Sequence, residues 1–164
     1  MRSTRIWRMI LRRGFLLGTI FALLIPGALP SKGQDPKPPD IARNRPLRSV
    51  KIPAAKGWVD CGWHVFQGQS IEIWAEGKVF CGKRSTESCG PEGYTNSGGG
   101  SWKPMPKVNT GALIARIGNK STRYFQVGAY AVAKAWMPGK LYLRVNDNNV
   151  FDNRGEFTAY LGFH

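Results

Sequence analysis

Apolar and polar residues alternate in short runs over the last two thirds of this chain. Ile71, Ile73 and Ala75 alternate with Glu72, Trp74 and Glu76, and Leu141, Leu143 and Val145 with Tyr142, Arg144 and Asn146. Phe157, Ala159, Leu161 and Phe163 alternate with Glu156, Thr158 and Tyr160. A period of two predicts strands buried on one face. Shorter strand signals fall at Trp63–Phe66, Ala112–Ile117, Tyr124–Gly128 and Ala131–Trp136, and no stretch sustains a helical period. Seven or eight such strands in about 115 residues predict an all-β fold, a single jelly-roll-like β-sandwich over residues 49–164.

The first third reads differently. Arg2, Arg5, Arg8, Arg12 and Arg13 precede an apolar run from Gly14 to Leu29, broken by Pro26 and Gly27. A basic head and a short apolar stretch describe an export signal over residues 1–30, because a spanning helix needs roughly 20 apolar residues. The paired Arg12 and Arg13 also fit a twin-arginine signal, and without a clean cleavage site an inner-membrane anchor stays open. Residues 31–48, with four prolines and little apolar matter, form an extended linker. The domain is therefore expected in the periplasm or outside the cell.

Charge changes little. Of the formal net charge of +14, the first 34 residues carry six cations and no acid, which leaves 18 Lys and Arg against 10 Asp and Glu in residues 35–164. These are scattered, whereas nucleic-acid binding wants a concentrated stripe. A solvated face, with some attraction to anionic envelope polymers, is the expected role.

Two histidines and three cysteines leave little for a metal cage built on those side chains. Cys81 and Cys89, eight apart across a Gly-rich turn, are the natural disulfide pair in an exported protein. Pairing of either with Cys61 stays open. The segment from Cys81 to Lys107, rich in Gly, Ser and Pro, predicts a functional rim loop with a floppy middle.

The segment from Val145 to Phe157 concentrates Asp147 and Asp152 among Asn146, Asn148, Asn149 and Asn153, between two clear strands. A hard cation such as calcium wants six to eight oxygens in flexible geometry, and this loop offers carboxylates, amides and turn carbonyls. The spacing is not that of an EF-hand, and Asn, Asp and Gly also build ordinary tight turns.

GALIARIGN (111–119), followed by Asn146-Asp147 and then DNRGEF (152–157), resembles the PA-I galactophilic lectin family. AEGKVFCG (75–82) and CGPEG (89–93) fit that family's upstream loop, so the similarity spans roughly residues 56–164. The resemblance implies a galactose-binding-domain-like β-sandwich that binds galactose or a related sugar through calcium. It implies metal ligation by the side chains of Asp147, Asp152 and Asn153 and by the backbone carbonyls of Cys81 and Asn149. Asp147, Asp152 and Asn153 would also hydrogen-bond the sugar, and Trp102 or Tyr94 would pack on its apolar face. A glycan or polysaccharide partner follows, with a homo-oligomer and a membrane tether left open.

There are departures. The turn between Asp147 and Asp152 is two residues shorter than in galactose-specific members, and Asp152 replaces an Asn. Cys89 stands at an aromatic position, and the His and Gln of the family's sugar pocket have no counterpart. An interaction sandwich that has lost sugar binding is the alternative. No catalytic constellation is evident: His64 lies on a strand face, His164 ends the sequence, and Glu72 and Glu76 read as a solvated face rather than a glycosidase pair.

Overall fold

A computed structural model describes residues 48–163 apart from 83, 84 and 99. The expected export signal, the linker up to residue 47 and His164 lie outside the described residues.

Eight strands form: β1 (Arg48–Pro53), β2 (Val59–Val65), β3 (Ser70–Phe80), β4 (Leu113–Ile117), β5 (Tyr124–Gln126), β6 (Tyr130–Lys134), β7 (Gly139–Val145) and β8 (Arg154–Phe163). They make two four-stranded antiparallel sheets, in the orders β1-β8-β3-β6 and β2-β7-β4-β5. Consecutive strands thus swap sheets repeatedly, which is the jelly-roll form of the expected β-sandwich.

The alternating residues meet between the sheets. Ile52, Ile71, Ile73, Phe157 and Leu161 of the first sheet face Val65, Leu113, Ile117, Leu141 and Leu143 of the second, all fully buried. Each such side chain contributes about 1.5–3 kcal/mol through the apolar area it removes from water.

Three differences from the alternation have local causes. β1 was hidden because its sequence, RSVKIP, interleaves charges with Val50 and Ile52, yet Ile52 is fully buried. β3 continues five residues past Ala75 because Gly77 adopts a φ of +110°, and a Cβ there would lie 2.6 Å from the carbonyl oxygen of Glu156. Phe163 falls at the sandwich edge, half exposed, and stacks on Trp63 at 4.1 Å.

The register also determines which loops meet. Phe80 pairs with Arg154 and Leu113 with Val145, so the β3–β4 and β7–β8 connections emerge at one end of the sandwich.

Candidate functional site

The β3–β4 connection is long and polar, so its order has to come from hydrogen bonds. Two buried polar side chains supply many of them. Asn146 accepts from the Met105 amide at 3.0 Å and directs its own amide group to the carbonyls of Met105, Val108 and Asn109 at 3.0–3.1 Å. Lys103 is 4% exposed, and its ammonium donates to the carbonyls of Ser97 (2.7 Å) and Val108 (3.0 Å) and to Thr110 Oγ1 (3.2 Å). Burial draws the Lys103 pKa below its ordinary value, and the charge of Asp147 works against that shift. Residues 101–110 are therefore pinned; the Gly98–Gly100 run, the expected floppy middle, precedes them, and Gly99 lies outside the described residues. Lys103 does not stand out in the sequence, because a buried lysine looks like any surface one, and Asn146 shows there only as one of the loop's amides.

The acidic loop docks against the start of this connection. Asn153 is buried; its Oδ1 accepts from the Gly82 amide at 3.0 Å and its Nδ2 donates to the carbonyl of Ala54 at 3.4 Å. Asp147 is 4% exposed, and its Oδ1 accepts from the Asn149 amide at 3.2 Å. The negative charge of Asp147 also acts on the Cys81 thiol and helps to raise its pKa. Asp147, Cys81, Gly82 and Asn153 thus form one neighbourhood. Asn149 caps a single 3-10 turn, Val150–Asp152, which ends on the second acid. Asp152 Oδ1 is buried there without a hydrogen-bond partner. Phe151, between the two acids, is 92% exposed. It was not picked out in the sequence, although an aromatic amid four asparagines and two aspartates was the available signal.

Tyr94 sits underneath rather than on the rim. Its ring packs on the core, and its hydroxyl accepts from the Cys81 amide at 3.1 Å while donating to the carbonyl of Glu87 at 2.9 Å. Trp102 is 52% exposed, with the Lys103 ammonium 5.5 Å from its ring centroid.

The expected disulfide is not formed: Cys61, Cys81 and Cys89 are all free thiols. The Cys81 and Cys89 sulfurs lie together over Gly111, where a Cβ would meet them at 3.4 and 2.5 Å. Cys81 donates to Cys89, and that hydrogen bond, followed by burial, pushes the Cys81 thiol well above its ordinary pKa. Burial pushes Cys61 up to about 12.

His64 is exposed on β2, its ring tilted against Phe66. Glu72 and Glu76 face outward from β3, each accepting from a tyrosine hydroxyl. Among the described residues no three His, Cys, Asp or Glu side chains gather, so a cation at the loop would rely on amide and backbone oxygens as well.

No family model matches the chain, and no curated protein matches it. Among solved structures, one described as the EclA N-terminal domain, a PllA-like lectin, superposes with a TM-score of 0.58 at 24% identity, over 72% of this chain and 98% of that one. The likeness establishes a shared sandwich fold.

Proposed function

We propose that this is an exported carbohydrate-binding protein that holds a sugar of the galactose type through a calcium ion at the β7–β8 loop. The buried, unpartnered Oδ1 of Asp152 carries the reading. A carboxylate oxygen removed from water without a donor is costly unless a cation meets it. The donor set fits calcium chemically: two carboxylates, one amide oxygen and turn carbonyls are all hard oxygen ligands. The side chains of Asp147, Asp152 and Asn153 would hold the ion, with the carbonyls of Cys81 and Asn149. When bound, calcium supplies open positions that two vicinal sugar hydroxyls can fill in place of water.

The chain's own residues do the rest. Asp147 is held by the Asn149 amide and Asn153 by Gly82, so their oxygens are oriented before any ligand arrives. Phe151 stands fully exposed between the acids and suits the apolar face of a sugar ring better than Tyr94, whose ring is spent on the core. The lectin description of the superposed domain supports a carbohydrate partner, and the N-terminal signal supports export.

Calorimetric titration of EDTA-stripped protein with calcium tests the reading. One stoichiometric site with a raised melting temperature is expected. Asp147→Asn should weaken calcium by about a hundredfold or more through the loss of one ligand charge, and sugar binding with it. Absence of calcium binding to the parent protein would sink the site.

A further inference from the structure

The outer face of the second sheet carries a cluster that the calcium loop does not use. Tyr142, Arg116 and Tyr124 are direct cross-strand neighbours there, and Arg144 faces Ile114 one step along. Trp58, just ahead of β2, lays its indole over them. The Arg116 guanidinium carbon lies 4.4 Å and that of Arg144 5.5 Å from the centroid of Trp58, and the Trp58 ring stacks on Tyr124 at 5.2 Å. The Arg116 guanidinium carbon also lies 5.3 Å from the centroid of the Tyr142 ring.

Two guanidiniums on one indole repel each other, and the structure provides little to neutralise them. Among the described residues neither forms an ion pair. Arg144 gives its Nε and one Nη2 donor to the backbone carbonyls of Val145 and Asp147, which leaves the rest of its five N–H groups. Arg116 Nε is buried with no acceptor at all. Asp60 on this face is committed to Lys140 at 2.8 Å, and the charge of Asp147 acts on Arg144 without forming a salt bridge. Beside Tyr124 runs a groove of about 440 Å³, lined by Pro104, Met105 and Val108 and flanked by Lys107 and Arg123. The face therefore combines flat aromatic rings, guanidiniums held without a salt bridge and an adjoining channel. Stacked arginines keep their planar N–H edges for carboxylate or sulfate oxygens.

We propose that this face binds an acidic polysaccharide, placing ring carboxylates or sulfates on Arg116 and Arg144 and apolar sugar faces on the aromatic rings. The hydrogen bond from Arg144 to the Asp147 carbonyl makes it continuous with the calcium loop, so one chain of sugars can span both. That the anion is carried on a glycan rests on the carbohydrate reading above. That the ligand is anionic rests on the arginines alone.

The test uses the full-length protein in EDTA, where the calcium site is silent. Polygalacturonate, dextran sulfate, neutral galactan and phosphatidylglycerol vesicles are each titrated at low and high salt. The expected result is that one acidic polymer binds at least about tenfold more tightly than galactan, and that salt weakens it. The preferred polymer identifies the anion as carboxylate or sulfate. Arg116→Gln and Arg144→Gln should each cost about tenfold, and Arg116→Lys should not restore binding, because an ammonium lacks the planar fork. If either glutamine variant melts early, Lys107→Gln and Arg123→Gln at the groove edge should still weaken the polymer. Equal binding of galactan, or indifference to all four positions, would overturn the proposal while leaving the calcium titration to stand on its own. Binding of the vesicles without either polymer would also overturn it, in favour of a membrane surface.

Discussion

The two outer faces of the sandwich use similar residue types to opposite ends. On the first sheet, glutamates are matched by neighbours across the strands. Tyr130 donates to Glu72 at 3.0 Å, Tyr160 to Glu76 at 2.6 Å, and Lys51 meets Glu156 at 2.8 Å and Thr158 at 2.9 Å. Trp74 is covered by Tyr130 at 3.9 Å. On the second sheet, the arginines rest on rings; among the described residues Arg144 donates to backbone carbonyls and Arg116 Nε finds no acceptor. A cation over a ring gains roughly 0.5–2 kcal/mol, yet it keeps its charge and its in-plane donors. Charge matched within a sheet stabilises that sheet, and charge left on aromatic rings remains available to a ligand.

Trp58→Ala is the largest single blow to this contrast. It removes the platform shared by Arg116, Arg144 and Tyr124, and for a half-buried indole the expected loss is about 2 kcal/mol, below the cost in a full core. Denaturant unfolding gives that figure. Binding of acidic polymer should fall with it by more than in either arginine variant, because both guanidiniums lose their orientation. Unchanged binding in a folded Trp58→Ala protein would mean that the stacked arginines of the second sheet do not recognise the polymer.

The sandwich was legible in the sequence because burial on one face writes a period of two into β3, β7 and β8. β1 was not legible, since its apolar pair sits among Arg48, Lys51 and Pro53 and declares itself only by pairing with β8. The acidic loop was legible as a cluster of oxygen donors between strands. Its supports were not: Lys103 and Asn146 act through distant carbonyls that only the folded chain brings near. The arginine face was illegible for the same reason. Arg116 and Arg144 lie 28 positions apart and looked like scattered charge until β4 and β7 paired.

On the first sheet the expected effects are smaller and purely structural. Tyr160→Phe removes the hydroxyl that Glu76 accepts, an interaction that holds the Tyr160 pKa above its ordinary value. A hydrogen bond on an open face contributes at most about 1 kcal/mol net, since water can replace the lost partner. The variant should unfold at slightly lower denaturant and bind acidic polymer as the parent does. A drop in polymer binding would assign recognition to the wrong sheet.

The smallest effect concerns the ion pair on the second sheet, and its sign follows from both partners. The Lys140 hydrogen bond, then the Gly62 amide, hold Asp60 below its ordinary 3.8, and Asp60 in turn holds Lys140 above 10.5. A depressed carboxylate contributes stability above its unfolded pKa and loses it as pH falls through the folded value. A raised ammonium contributes below 10.5 and loses it as pH climbs past its folded value. The stability difference between the parent and Asp60→Asn should therefore be flat between these limits, vanish at both extremes, and shrink in high salt because both groups are exposed. Thermal melts across pH measure it. The same variant separates the pair from the arginines beside it. Removing the carboxylate makes this face more positive, so acidic polymer should bind Asp60→Asn at least as tightly as the parent. Weaker binding would show that the Asp60–Lys140 pair, and not the stacked guanidiniums, organises the face.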